Sequence, residues 1–143
     1  MKTIALRFGE HFSPECGTIA AHQRIIDELG YVWYGKLGGV VSQAIVKSIL
    51  QSNDPRILLI NSGKIDRYWA HVVDFSTTRP PEIEYPVYYQ SKADRMKCWF
   101  KISAFERADN DVMAHCFVCS SKRVLSEVSR SSMSPYFIIE YRP

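Results

Sequence analysis

Short stretches in which apolar residues alternate with polar ones, or run together, recur along the chain and predict β-strands. Arg56–Ile60 is almost entirely apolar, and Tyr68–Phe75 alternates. Because the turn Asn61–Lys64 separates them, we expect these two strands to be antiparallel neighbours in one curved sheet. The other predicted strands are Thr3–Phe8, Tyr31–Tyr34, Lys97–Phe105, Asp111–Cys119 and Tyr136–Tyr141.

Two stretches repeat apolar residues at helical spacing instead. The first, Ile19–Leu29, follows Thr18, a predicted N-cap, and precedes Gly30, a common helix end. The second begins at Ser42 and runs to Gln51. Both helices are amphipathic, so we expect them to pack on the outside of the sheet.

The number of short strands relative to helices indicates the fold class. We expect an α+β fold, with a small curved, partly closed and mainly antiparallel β-barrel and two or three flanking helices. The 143 residues are enough for one domain of ordinary size. Residues 1–143 are therefore predicted to form a single domain, in which residues 1–30 are an N-terminal strand–helix extension.

Composition and charge narrow the function classes. With 46% hydrophobic and 23% charged residues, the chain is typical of a globular protein. No apolar run approaches the roughly 20 residues of a membrane helix, and no secretion signal is recognisable, so we expect a cytoplasmic protein without a membrane partner. The formal charge of +3 is too small to hold nucleic acid by electrostatics alone. A nucleic-acid role would need a local basic patch and a pocket.

Residues that commonly carry catalysis or bind metals do not form a convincing site. Cys116 and Cys119 are three positions apart in a predicted strand, where their side chains point to opposite faces, and neither Cys16 nor Cys98 completes a ligand set. We expect four reduced thiols and no metal. The serines lack a Gly-x-Ser-x-Gly elbow. The sequence therefore favours a binding module without a cofactor over an enzyme.

Aromatic residues beside loops are the strongest candidates for binding. Trp33 lies near the end of a predicted strand and is followed by Tyr34, Gly35 and Lys36, so a planar base could stack on its ring next to a flexible, cationic segment. Packing in the core explains Trp33 equally well. The mid-strand Trp69 is a weaker candidate, since its position favours the core.

Two further segments contribute candidates. Residues 76–95 contain three prolines, which exclude a strand ladder, and long connections of this kind often carry function. Downstream, cations alternate with serines whose hydroxyls suit phosphate oxygens, although a solvated polar face has the same composition. The candidates in the two segments are Tyr85, Tyr88, Tyr89, Lys122, Arg123 and Arg130.

The order of these motifs resembles the PUA-like superfamily and, within it, the EVE and YTH domains. The resemblance covers about residues 31–141 and rests on Tyr31–Lys36, a helix, Ile57–Gly63, Tyr68–Val72 and Cys98–Ile102. It implies a small curved barrel that reads modified bases in DNA or RNA through an aromatic cage.

The resemblance also implies roles for single residues. Trp33 matches a tryptophan that forms one cage wall, Ser62 matches a small polar residue at the end of the next long strand, and Lys122 and Arg123 match a patch that contacts the nucleic-acid backbone. The chain departs from the YTH pattern after the hairpin, where tyrosines stand in place of a second cage tryptophan.

We therefore expect a nucleic-acid-binding module whose cleft, lined by Trp33, Ser62 and the tyrosine segment, accepts a modified or flipped base. A first alternative is a protein-interaction module that uses the same aromatic surface for a protein partner. A second alternative is a small hydrolase or transferase, which would need an ionisable pair within hydrogen-bond distance in the cleft.

Overall fold

A computed structural model of the protein describes residues 1–9, 13–61 and 66–143. In these ranges seven strands form one mixed sheet with the order β2-β5-β4-β3-β1-β7-β6. The strands are β1 (Lys2–Phe8), β2 (Val32–Leu37), β3 (Arg56–Asn61), β4 (Arg67–Ser76), β5 (Met96–Arg107), β6 (Cys116–Val118) and β7 (Tyr136–Tyr141). Three α-helices accompany them, namely α1 (Thr18–Leu29), α2 (Gln43–Leu50) and α3 (Leu125–Ser131).

The pairing of the central strands confirms the predicted hairpin. β3 and β4 are antiparallel, with Arg56 opposite His71 and Ile60 opposite Arg67. Residues 1–30 contribute β1 to the interior of the sheet, where it runs parallel to β3 and antiparallel to β7. The described strands otherwise pair antiparallel.

Alternation along the strands divides the buried side chains between the two faces of the sheet. One face carries Ile4, Leu6 and Phe8 of β1 and packs against apolar residues of α1 and α2, as predicted for these helices. The other face packs against α3 at the β6 end. At the β2 end the same second face packs against residues 77–95 in a separate aromatic cluster. The fold is α+β, with helices on both faces.

Helix α1 ends where the sequence predicted. Gly30 has a φ of +86°, in the left-handed region that glycine adopts without steric cost, and its N–H donates to the carbonyl of Ile26. Its start differs slightly from the prediction, because Gly17 is the N-cap and Thr18 is already helical.

Several boundaries differ from the predictions. The barrel is not confirmed, because β2 and β6 are the two ends of an open sheet within the described part of the chain. Strand β2 does not end at Gly35 but continues to Leu37, since Gly35 pairs with Trp99 in the ladder. Val112–His115 of the predicted strand Asp111–Cys119 form a 3₁₀ turn, and only Cys116–Val118 pair with β7. Residues 76–95 form three 3₁₀ turns and no strand beyond the end of β4, in agreement with their prolines.

None of the helices in the described ranges has both the length and the apolar character required to cross a bilayer.

The four cysteines are free thiols with very different surroundings. Cys16 is exposed, whereas Cys98 and Cys116 are fully buried, and burial raises the pKa of Cys116 to about 12. Because the thiolate is the reactive form, we expect iodoacetamide at about pH 8 to modify Cys16 first and the two buried thiols only after unfolding. Mass spectrometry of partially labelled protein measures this order, and early modification of Cys116 would contradict the packing.

Candidate nucleotide-binding cleft

A cleft of about 300 Å³ opens on the face of the sheet that carries α1. We call it the β1–β2 cleft, because both strands contribute to its walls. Its described lining residues are Leu6, Arg7, Phe8, Gly9, Ser13, Thr18, Tyr34, Gly35, Lys36, Leu37, Tyr88, Tyr89, Lys92, Met96 and Pro135.

Curvature of the sheet creates the cleft. β1 and β2 are separated by three strands in the sheet order, yet both line the same cavity. The ammonium of Lys36 on β2 lies 5.1 Å from the centre of the Tyr136 ring on β7, across a gap in which none of the described strands pairs with β2. The cleft therefore occupies the opening that a closed barrel would have filled with backbone hydrogen bonds.

The lining of the cleft combines apolar surface with positive charge. Phe8, Tyr34 and Met96 supply buried apolar and aromatic surface, and Tyr88 is only half-buried. Three cations, Arg7, Lys36 and Lys92, are among the described lining residues, but the guanidinium of Arg7 is bound to carbonyls at the end of α3 on the other face of the sheet. Ligand pockets of this composition bind planar apolar groups and use a few polar side chains to orient them.

Lys36 is the most unusual of the three cations. Its side chain is only 7% exposed, and its ammonium donates to the carbonyls of Leu37 and Gly39 at 3.2 and 2.8 Å. Burial lowers the pKa of Lys36, and the neighbouring Cys98 offsets this in part. Burial also lowers the pKa of Lys92, to which the charge of Arg95 contributes. The cleft wall thus holds lysines whose charge is poorly solvated.

Arg7 is held by backbone oxygens at the end of α3. Its guanidinium donates to the carbonyls of Ser129 and Ser132, both at 2.7 Å, and to that of Ser134 at 2.9 Å. These carbonyls belong to the last turn of α3 and the residues after it, where a cation is favourable. Arg7 consequently fixes α3 against β1.

A series of buried hydrogen bonds, which we call the polar chain, supports the wall formed by the tyrosines. Nδ1–H of His22 donates to the carbonyl of Thr18 at 2.8 Å, because a carbonyl can only accept. In the neutral ring Nε2 then accepts the hydroxyl of Tyr89 at 2.9 Å. Burial raises the pKa of Tyr89 well above its usual value, so the phenol keeps its proton, and its oxygen accepts the N–H of Gly35.

Gly35 is needed at this point because the strand is closely packed. A Cβ at Gly35 would lie 2.2 Å from Sδ of Met96 and 3.0 Å from the ring of Trp99. The absence of a side chain also leaves the N–H of the edge strand open to the Tyr89 hydroxyl. The 3₁₀ turn Val87–Tyr89 therefore covers the β2 edge, with which no other described strand pairs.

Trp33 lies on the opposite face of β2 from the cleft. It is 9% exposed, and it packs in the aromatic cluster with Tyr85 and Trp99. Its indole N–H donates to Glu84 at 3.3 Å, and the same carboxylate accepts the hydroxyl of Tyr31 at 2.7 Å. Trp33 does contact the tyrosine segment as expected, but it is not among the residues that line the β1–β2 cleft.

The structure divides the remaining predicted residues between the cleft and other surfaces. Tyr34, Lys36, Tyr88 and Tyr89 line the cleft. Trp69 is 3% exposed in the core of the opposite face, where the guanidinium of Arg56 lies 4.1 Å from its ring centre. Ser62 lies outside the described residues.

The predicted basic segment lies on the surface near α3. Lys122, Arg123 and Arg130 are all exposed, and Arg123 is 3.6 Å from Glu127. Arg123 lines a second groove together with serines that include Ser120 and Ser134. The role of Lys122, Arg123 and Arg130 in nucleic-acid binding stays a prediction.

Sequence reasoning missed His22, Lys92 and Met96. His22 had a recognisable signal, because it stands on the apolar stripe of α1, four residues after Thr18 and four before Ile26. A histidine at such a position needs buried hydrogen-bond partners. Lys92 and Met96 carry no such local signal, since their place in the wall depends on how residues 77–95 wrap around the β2 edge.

The chain matches a known protein family. A family model described as Pua-like matches residues 4–134 of the 143. No curated protein and no solved structure matches the chain significantly.

Proposed function

We propose that the β1–β2 cleft binds one unpaired nucleotide of a DNA or RNA strand. The chain belongs to the Pua-like family, and membership of this family suggests nucleic-acid binding. The lining carries this proposal, because aromatic and apolar side chains stand beside the ammonium groups of Lys36 and Lys92. A base can stack while its phosphate meets the cations. The volume of about 300 Å³ is at the lower end of ligand pockets and suits one nucleotide rather than a duplex.

Tyr88 is the residue we propose as the stacking surface. Among the aromatic residues of the described wall it is half-buried, while Phe8, Tyr34 and Tyr89 are buried. Its ring packs at 4.9 Å, nearly perpendicular, against that of Tyr89, which fixes its orientation. An ordered ring presents a stacking face at a low cost in entropy.

The finer proposal is an EVE-like or YTH-like function, in which the base is modified. Phe8 and Met96 would supply apolar contacts for an added alkyl group, and the hydroxyl of Thr18 stands in the same wall. We further propose that Lys122, Arg123 and Arg130 contact the phosphates of flanking nucleotides.

Replacement of Tyr88 tests the proposed site. We expect Tyr88→Ala to weaken binding of a short single-stranded oligonucleotide roughly 10-fold or more, because stacking contributes about 1 to 3 kcal/mol per base. Fluorescence anisotropy with matched modified and unmodified strands measures the loss and any preference for a modification. Val87→Ala is a suitable control, since the neighbouring Val87 is 76% exposed and does not line the cleft.

The salt dependence of the same titration separates this function from a protein-interaction module. A nucleic-acid complex should weaken as salt rises, in proportion to the number of phosphates that the protein neutralises. The affinity for a protein partner held by apolar contacts should not fall as salt rises. Unchanged affinity of Tyr88→Ala for every strand tested would reject the cleft as the binding site.

A further inference from the structure

We propose that Lys36 makes the β1–β2 cleft prefer bases that present a keto oxygen to its ammonium over bases that present an amino group. Guanine, hypoxanthine, uracil and thymine belong to the first class, and adenine and cytosine to the second. The proposal rests on the proposed function and specifies which bases the cleft accepts. The position, the partners and the surroundings of the ammonium carry it.

Lys36 belongs to the cleft wall and is shielded from bulk water. It stands on β2 two residues after Tyr34, so both side chains project from the same face of the strand, and both line the cleft. Lys36 is only 7% exposed. A group that contacts its ammonium in place of water therefore belongs to a ligand inside the cleft.

Within the described part of the chain, the ammonium of Lys36 keeps one N–H for a ligand. Two of its three donors go to the carbonyls of Leu37 and Gly39, at 3.2 and 2.8 Å, and these bonds hold the group in place. The ring of Tyr136 at 5.1 Å stabilises the charge without accepting a conventional hydrogen bond. Burial lowers the pKa of Lys36, and the only charge effect that offsets it among the described groups comes from Cys98, not from a carboxylate.

The remaining N–H determines which edge of a base fits. An ammonium can only donate, so a keto oxygen opposite Lys36 accepts a hydrogen bond from it. An exocyclic amino group also donates, and opposite Lys36 it would bring two N–H groups together without an acceptor. A buried donor without a partner loses the whole free energy of its hydration, and the loss is larger for a charged donor. The two classes of base therefore differ by one charged hydrogen bond.

The surroundings of Lys36 favour a neutral acceptor over a phosphate. Tyr34 precedes it on the same face of β2, and Met96 pairs with the next residue of β2, Leu37. Both Tyr34 and Met96 are buried lining residues with mainly apolar surface. A phosphate placed here would need several donors to replace its water, whereas a keto oxygen needs the single donor that Lys36 offers. The base therefore occupies the inner part of the cleft, and its phosphate stays near the mouth.

The test compares RNA strands that differ at one base. Each short strand carries one central base between abasic residues, so only that base can enter the cleft. Uracil is compared with cytosine, and hypoxanthine with adenine, because each pair exchanges a keto oxygen for an amino group. In the pair that the cleft binds more tightly, we expect the keto strand to bind at least about 10-fold more tightly than the amino strand. Fluorescence anisotropy measures both dissociation constants.

Three variants assign the preference to its residue. Lys36→Met keeps the length of the side chain but has no donor, so the difference between keto and amino strands should disappear. Lys47→Met, on the exposed side of α2, should keep the difference. Tyr88→Ala should weaken both strands and keep their ratio, because it removes stacking and not the donor.

A second ligand series decides if Lys36→Met does not fold. Pyrimidin-2-one and purine carry a hydrogen atom in place of the keto or amino group, and they are bound to the unaltered protein in the same abasic strands. Affinity that falls in the order keto, hydrogen, amino supports a donor at this position. An amino strand that binds as tightly as the hydrogen strand rejects it.

The outcomes separate this proposal from the proposed function. Equal affinity for keto and amino strands, with binding that still depends on Tyr88, overturns the base preference and leaves nucleotide binding intact. A preference that persists in folded Lys36→Met overturns the role of Lys36. An entirely abasic strand that binds as tightly as the keto strand overturns both proposals, because the cleft would then accept no base.

Discussion

Trp33→Ala is expected to lower the free energy of unfolding by about 3 kcal/mol or more. Trp33 is 9% exposed and packs with Tyr85, Tyr89 and Trp99, so truncation leaves a cavity in a cluster that holds residues 77–95 against β2 and β5. It also removes an indole donor to Glu84. Urea unfolding followed by circular dichroism measures the loss.

Trp33→Phe separates packing from the hydrogen bond in this prediction. The phenyl ring keeps much of the buried area, and Glu84 keeps its hydrogen bond from Tyr31, so we expect a loss of only about 1 kcal/mol. Folded Trp33→Phe should bind oligonucleotides like the parent, because Trp33 does not line the β1–β2 cleft. A Trp33→Ala protein that melts like the parent but no longer binds would restore Trp33 as the base-stacking residue.

The example of Trp33 shows what a local pattern determines. Successive residues of a strand point to opposite faces, so Trp33 and Tyr34 had to be separated by the sheet. Which of the two faces carries the cleft depends on β1, which is remote in sequence from β2, and on the face of the sheet against which α1 packs. Tyr34 and Lys36 could therefore be identified as candidates from the sequence. The sequence could not show that they line the cleft and that Trp33 does not.

The fold shows the same limit. The β3–β4 hairpin depends on a turn and two neighbouring stretches, and the sequence predicted it. Closure of the barrel depends on whether β2 meets strands far away in the chain. In the structure, the 3₁₀ turn Val87–Tyr89 covers the β2 edge, and the hydroxyl of Tyr89 accepts the Gly35 N–H that a further strand would have paired.

Replacement of the buried histidine should also have a large effect. His22 is fully buried, and its ring is within 5.2 Å of the rings of both Tyr34 and Tyr89. We expect His22→Ala to cost about 3 kcal/mol or more of unfolding free energy, since it opens a cavity and leaves the Tyr89 hydroxyl without its acceptor. Arg24→Ala, an exposed position on the same helix, should change stability by less than about 0.5 kcal/mol.

A double-mutant cycle with Tyr89→Phe assigns part of this loss to the hydrogen bond between the two side chains. Tyr89→Phe alone leaves Nε2 of His22 and the N–H of Gly35 without their partner, so it should cost about 1 to 3 kcal/mol. Once Tyr89 has lost its hydroxyl, removal of His22 no longer strands a buried donor. The double variant should therefore lose about 1 kcal/mol less than the sum of the single losses. Strictly additive losses would show that His22 acts through packing alone, and the polar chain behind the cleft would then have no energetic role.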